Sequence, residues 1–520
     1  MWQEQVFYKN RICGDERLQS NRTDQSTKEK TMKTKRKIVL LALCCVMIMT
    51  IFVGCNSQLR QEKREYQDRV TELNALVERL EQEKREYQNR VADLDEKVER
   101  LEEERDVLKE RISNRVFIYV AEGTLPIMNS FLHVLGHNYP SYMLFGRADT
   151  FDHRMLPNHV SVVREPTGVV GRDAIVLREL VEALETKYNQ PYFHFFGECI
   201  NALTPFYIRE RAGISRERFQ ITLLSDGANH GGIFLNLPAI FPPPGFAAGD
   251  ALFTGPQGLD NWHFFRSSFE EFWLPLFATD EALTLEQYDS FRPTWAYMWA
   301  AAMQPNVDFW VSFPGWFFMQ DVHSAILGDL MGATLIGRKA YDLLSALESH
   351  RRELFFEATL NNPNFAIEGV GSIRDMLDNY FNYSDKPVMI VSGTHVGTVS
   401  GIGTDASHFI SALEEIIVEF GDNYRLMYKP HPSWNRAHPY NAPLLEFLEY
   451  HDISILPPRL PMEAIMWAYP DIQIGGYNST LYISARANQV RFFIGELVGT
   501  VDFLYQSGAF PLATGVRFGV

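Results

Sequence analysis

Apolar residues from Leu59 to Ile112 fall on a seven-residue pattern. Leu59, Tyr66, Leu73, Leu80, Tyr87, Leu94, Leu101 and Leu108 fill one seam position, and Val70, Val77, Val91, Val98 and Ile112 fill the other, where Lys63, Lys84 and Arg105 interrupt at regular intervals. The segment "QEKREYQ" recurs three heptads apart, at Gln61 and Gln82. β-Branched residues at one seam position with leucine at the other favour a parallel coiled coil, here over 57–113, and two strands over more. Its expected role is spacing and self-association.

The pattern changes after Arg115, where short apolar runs alternate with amphipathic segments. "VFIYVAEG", "YMLFGR", "VSVVRE", "YFHFFGE" and "FQITLLSDG" read as strands, and "LPIMNSFLHVL" and "AIVLRELVEALETKY" as helices. That alternation predicts a doubly wound parallel sheet. An aromatic, proline-rich region from Phe241 to Trp316 breaks it, and the helical stretch "RKAYDLLSALESHRRELFFEATL" leads into a second alternation through "PVMIVSGT", "YRLMYKPHP", "DIQIGGYNS" and "VRFFIG". Two α/β units follow from this, one over 116–310 and one over 311–500, with 501–520 as a C-terminal tail.

Upstream, the polar leader 1–31 precedes a segment, 32–55, with every part of a secretion signal, so that Met32 is a candidate start and the leader a candidate untranslated stretch. Lys33, Lys35, Arg36 and Lys37 form a basic head, Ile38 to Val53 an apolar run, and Gly54-Cys55 resembles the cleavage site of a bacterial lipoprotein. Cys55 would then carry lipid. The competing reading is an uncleaved membrane anchor, since the run approaches the length that spans a bilayer. Either reading sends the remainder outward and places the chain on the membrane of a bacterial cell envelope.

Composition narrows the rest. A formal net charge of -16 over 520 residues argues against a chain-wide affinity for nucleic acid, which requires a basic surface. Cys13, Cys44, Cys45 and Cys55 precede the α/β part, leaving Cys199 alone there, so neither a disulfide framework nor a cysteine-rich zinc site is available.

Four places combine reactive groups with strand ends. In "LLSDGAN", Asp226 ends a strand of the first unit; an Asp-Gly pair is ordinarily a turn, but a carboxylate there could take a proton from a substrate hydroxyl. In "YKPHP", Lys429 and His431 stand beside two prolines, either a structural turn or a cation and an imidazole suited to a phosphate oxygen. Glu463 in "PMEAIMW" either favours the helix dipole or accepts hydrogen bonds from ribose hydroxyls. Ser479 and Thr480 in "GGYNSTLY" are either helix caps or phosphate ligands at a helix amino terminus.

In that order these motifs resemble the bacterial sialyltransferases of glycosyltransferase family 80, over about Val116 to Ile494. "VFIYVAEGTLP" is similar to the family's opening strand and turn, "LFGRAD" to its Trp-Gly-Arg segment with Phe145 for tryptophan, and "LLSDGAN" to its acidic-acidic-Gly motif. "SGTHVG" resembles its Gly-Thr-Thr turn, "YKPHP" its Lys-Gly-His-Pro motif, and "LPMEAIMW" with "GGYNSTLY" its glutamate helix and paired serines. Ser225, Pro430 and Thr480 depart from the family's acid, glycine and second serine, and the family's histidine near the catalytic carboxylate has no counterpart around Glu198 to Asn201.

The resemblance implies a GT-B fold, two Rossmann-like domains facing a cleft, and an inverting transfer of sialic acid from CMP-sialic acid to a glycan hydroxyl without metal or other cofactor. It implies Asp226 as general base and His431 assisting the departing phosphate. Lys429, Glu463, Ser479, Thr480 and Thr394 would bind the donor, and Arg147 and Trp299 the acceptor. Two rivals stand beside it: a GT-B transferase using another CMP- or CDP-linked donor, and a non-catalytic, lipid-anchored coiled-coil protein whose head binds glycans or serves as a scaffold.

Overall fold

A computed structural model describes residues 37–42, 57–146, 148–164, 170–199, 203–225, 252–268, 271, 304, 307–312, 324–333, 335–367, 369–393, 406–432, 434–477, 479–486, 488–495 and 516–518. The chain divides into two compact units, Met1–Glu110 and Arg111–Val520. Most of the described residues of the first belong to one helix, Ser57–Ser113, that runs unbroken for 57 residues. Its seam leaves Tyr87, Leu94 and Leu101 exposed at 49%, 48% and 62%. Among the described residues no helix is long and apolar enough to cross a membrane; most of the apolar run to Val53, with Cys55, lies outside them.

The second unit contains two parallel sheets. The first is built from β1 (Arg115–Ala121), β2 (Ser141–Phe145), β3 (Val160–Arg164), β4 (Tyr192–Glu198), β5 (Phe219–Leu224), β6 (Val307–Val311) and β7 (Leu335–Gly337), in the order β3-β2-β1-β4-β5-β6-β7. The second comprises β8 (Val388–Ser392), β9 (Arg425–Lys429), β10 (Ser454–Ile455), β11 (Gln473–Tyr477), β12 (Val490–Ile494) and β13 (Val516–Phe518), in the order β10-β9-β8-β11-β12-β13. The strand order reverses at β1/β4 and again at β8/β11, which makes each sheet doubly wound; in sheets of this kind ligands bind at the reversal. The first sheet continues past residue 310 into β7, and the second takes β13 from the segment read as a tail. The single helical stretch before β8 is two helices, Ala340–Ala346 and Ser349–Leu360, parted at Leu347, whose extended backbone sets its side chain in the core.

Strands buried on both faces read as unbroken apolar runs, and the two faces part by alternation. Phe117, Tyr119 and Ala121 of β1 face a central core, while Val116, Ile118 and Val120 face an outer one. In the second sheet Val388 and Ile390 join the same central core, and Met389 and Val391 an outer core of their own. The central core is therefore shared, filled by Phe131 of the helix Thr124–Leu135, Phe355 of Ser349–Leu360 and Ile465 of Met462–Ala468. Burial of this extent, at about 25 cal/mol per Å² of apolar surface, couples the folding of the two sheets.

Candidate active site

The carboxyl edge of the second sheet gathers the motif residues within the described chain. Two glycines permit close approaches at this edge, one of them at the reversal. Gly476 of β11 pairs with Ser392 of β8 at φ +141°, where a Cβ would lie 2.1 Å from the Ser392 carbonyl oxygen. A Cβ on Gly393 would lie 2.2 Å from the Tyr428 hydroxyl. Among the described residues that hydroxyl and the Trp434 indole N–H, both buried, have no hydrogen-bond partner.

Lys429 ends β9 with its side chain buried, 5% exposed. Its Nζ donates to the carbonyl oxygens of Pro430 at 2.8 Å and Pro458 at 2.6 Å. Pro458 lies between β10 and the helix carrying Glu463, so one amine joins the loop leaving β9 to the loop entering that helix. Burial pushes the Lys429 amine down to about 7, against the pull of the Glu463 carboxylate. The group read as a phosphate ligand is thus engaged with its own backbone, and its visible task is to fix two loops.

His431, two residues on, is half-buried, and its carbonyl accepts from the Trp434 amide at 2.9 Å. Glu463 is half-buried in the first turn of its helix, where the free amides favour a carboxylate. Ser479 Oγ accepts from the Leu481 amide at 3.4 Å and caps the short turn Thr480–Ile483, the capping role that competed with phosphate binding.

Less of the first sheet's edge is described. Asp226, Arg147, Trp299 and Thr394 lie outside the described residues, as does Cys55, and of Thr480 only the backbone is described. Ser225, just before Asp226, is buried at the end of β5, and its amide donates to the Trp310 carbonyl at 3.1 Å. Glu198 is not among the candidates named from the sequence. It closes β4 at the reversal, 2% exposed, and its Oε2 accepts from the amides of Glu122 at 2.7 Å and Gly123 at 2.8 Å, which lead into the helix Thr124–Leu135. The signal was an acid ending the aromatic run "YFHFFGE". The edges of the two sheets are tied by Arg459, whose Nη1 lies 2.9 Å from Asp149 Oδ1, two residues beyond Arg147. Among the described residues no group of three or more His, Cys, Asp or Glu side chains could hold a metal ion.

The class these features define is an α/β protein with two doubly wound parallel sheets, the GT-B arrangement. The comparisons agree. The chain is similar to the GT-B domain, residues 113–497, of a sialyltransferase from Photobacterium damselae, at 14% identity and a TM-score of 0.50, covering 76% of this chain and 94% of that one. It is similar also to a second sialyltransferase structure from that organism, at 14% identity and a TM-score of 0.50, with 78% and 81% covered. No protein-family model matches the chain, and no curated protein matches it in sequence. The resemblance read in the short motifs is therefore met again in three dimensions, and at this identity it speaks for the fold.

Proposed function

We propose that the chain is an inverting glycosyltransferase that moves sialic acid from CMP-sialic acid to a sugar hydroxyl. The observation that carries this reading is the second sheet's edge, where His431, Glu463 and Ser479 follow strand ends or open helical turns beside the strand-order reversal, on a fold shared with sialyltransferases. Asp226 takes the proton of the acceptor hydroxyl as that oxygen attacks the anomeric carbon. The bond to the CMP phosphate breaks, and His431 with the hydroxyls of Ser479 and Thr480 receives the departing charge. Glu463 accepts from the ribose hydroxyls, and Thr394 completes the donor side. Arg147 and Trp299 hold the acceptor. Lys429 serves the donor by fixing the loops that carry His431 and Glu463. Preorganised donors of this kind supply much of the rate, and no metal is needed. Cys55 or the apolar segment before it holds the enzyme on the membrane of the cell envelope.

The test is to incubate the purified chain with CMP-, CDP- and UDP-linked sugars and a glycan acceptor, and to measure released nucleotide. CMP from CMP-sialic acid, with the acceptor sialylated, is the expected result. Release from a different donor moves the chain to another GT-B transferase. No release from any donor makes the head a glycan-binding scaffold.

A further inference from the structure

Among the described residues none of the helix Ser57–Ser113 belongs to a hydrophobic core, and along its seam Tyr87, Leu94 and Leu101 are 49%, 48% and 62% exposed. A helix of this length with leucines open to water is missing a partner. Its flanks say which. With Lys63, Lys84 and Arg105 at position a of the heptad, the residues just before them, at position g, are Glu62, Glu83 and Glu104. In a parallel pair an a side chain packs beside the preceding g residue of the other helix, so each seam cation meets a glutamate in place of open hydrocarbon.

The outer pairs agree. Residue g of one helix faces residue e five positions on in the other, which sets Arg90 against Asp95, Lys97 against Glu102 and Glu104 against Lys109. No pairing of this kind along the helix opposes two like charges. Within one helix Lys97 turns instead to Asp93 at 2.8 Å, with both side chains more than half exposed. Sliding one helix by three heptads would keep the repeat "QEKREYQ" opposite itself but would forfeit three heptads of seam.

We infer that this helix pairs with the same helix of a second copy of the chain, parallel and in register, and that the charges flanking the seam set that register. Each chain of the pair then brings one copy of the two-sheet α/β part. The inference goes beyond the transfer reading, and its tests need no catalysis, so its failure leaves that reading where it stands.

The full chain, purified in mild detergent, is expected to sediment as a dimer; a monomer, a trimer or a larger ring overturns the inference. Leu94→Cys places a thiol at a seam position that faces its own copy only in a parallel, in-register pair, within the Cα separation a disulfide tolerates. Mild oxidation should give a covalent dimer well above the wild-type background set by the chain's native cysteines, and no increase overturns the register. Arg90→Glu should weaken dimerisation about tenfold, with two symmetric pairs affected. Adding Asp95→Arg should return the affinity to within about twofold, since the swapped charges meet only across a parallel pair. Failure of that rescue, with each single variant still helical, removes the charge code.

Discussion

The interior of the first sheet and the edge of the second both bury titratable groups, to opposite ends. In the first, the Tyr119 hydroxyl lies 2.7 Å from His133 Nδ1 and 2.9 Å from His137 Nε2, and His194 Nε2 lies 2.8 Å from Thr222 Oγ1. The rings of His137 and His194 pack on Phe117 and Phe196 at centroid distances of 4.3 Å. Side chains there bond one another and fill a core, with His194 Nδ1 left without a partner among the described residues. In the second, Lys429 bonds backbone carbonyls of two loops at the reversal of strand order. A polar group bonded to side chains stabilises packing, whereas one bonded to loop backbone fixes the shape of whatever those loops carry. The second placement is the one to expect beneath a binding site.

The largest effects should separate the sheet edges from that interior. Asp226→Ala is expected to lower transfer on the order of 1,000-fold, the share of a lost general base, while CMP affinity stays within about twofold. His431→Ala should weaken CMP binding and slow turnover, each about tenfold, as loss of one charge-assisted hydrogen bond requires. Calorimetric titration with CMP beside initial-rate measurements distinguishes the two. Full activity in the alanine variant at 226 removes its role as base, and an unchanged binding curve at 431 returns that motif to a turn.

Stability at the strand-order reversal is tested by Gly476→Ala. The new methyl would sit 2.1 Å from the Ser392 carbonyl oxygen, in a backbone conformation that side chains rarely adopt. A loss of at least about 3 kcal/mol is expected in urea unfolding. A loss under about 1 kcal/mol would show that β8 and β11 do not approach so closely.

The two buried sites should also differ in their pH windows. Burial holds His133 and His194 well below the usual imidazole range and His137 at about 3, with His159, Arg351 and Arg115 adding repulsion at His137. The unfolded chain takes up these protons below about pH 6.5 and the folded chain does not, so stability falls as pH drops, by up to about 1.4 kcal/mol per unit for each histidine. His194→Gln can keep the bond to Thr222 and should make that decline shallower. Lys429 acts in the neutral to alkaline range. The unfolded chain keeps its proton to about pH 10.5 and the folded one releases it near 7, so this residue's contribution rises with pH above 7. Lys429→Met should flatten the slope between about pH 7 and 9 and leave the acid limb alone. Equal slopes in variant and wild type would mean that the amine is hydrated.

Much of this was legible in the chain, for identifiable reasons. β1, β4, β8 and β9 stand out because strands buried on both faces are continuous apolar runs, Lys429 and Ser479 because they stand where such a run ends, and Glu463 because it interrupts an apolar helix start. β13, three residues long, is too short to carry a period. The histidine cluster could not be read, because His133 and His137 lie on a helix and its C-terminal end while His194 lies on β4, and only the β1/β4 pairing brings them together. Glu198 was visible as a residue but not as a link, since its partners at Glu122 and Gly123 are 76 and 75 residues away.

The smallest effect concerns the tie between the edges. Arg459 follows the proline whose carbonyl Lys429 holds, and its guanidinium meets Asp149 at 2.9 Å. Asp149 is anchored in turn by Asn362, whose Nδ2 donates to its carbonyl at 2.7 Å. The ion pair is open to water, with side chains 49% and 36% exposed, so its coupling should stay below about 1 kcal/mol and fade with salt. A double-mutant cycle with Arg459→Ala and Asp149→Ala, at low and high ionic strength, measures it. The loop's shape rests on the buried amine and not on this pair, so Arg459→Ala should leave CMP affinity within about twofold while Lys429→Met lowers it. A loss of CMP binding in Arg459→Ala as large as that in Lys429→Met would make the surface pair, and not the buried amine, the group that holds the donor loops in place.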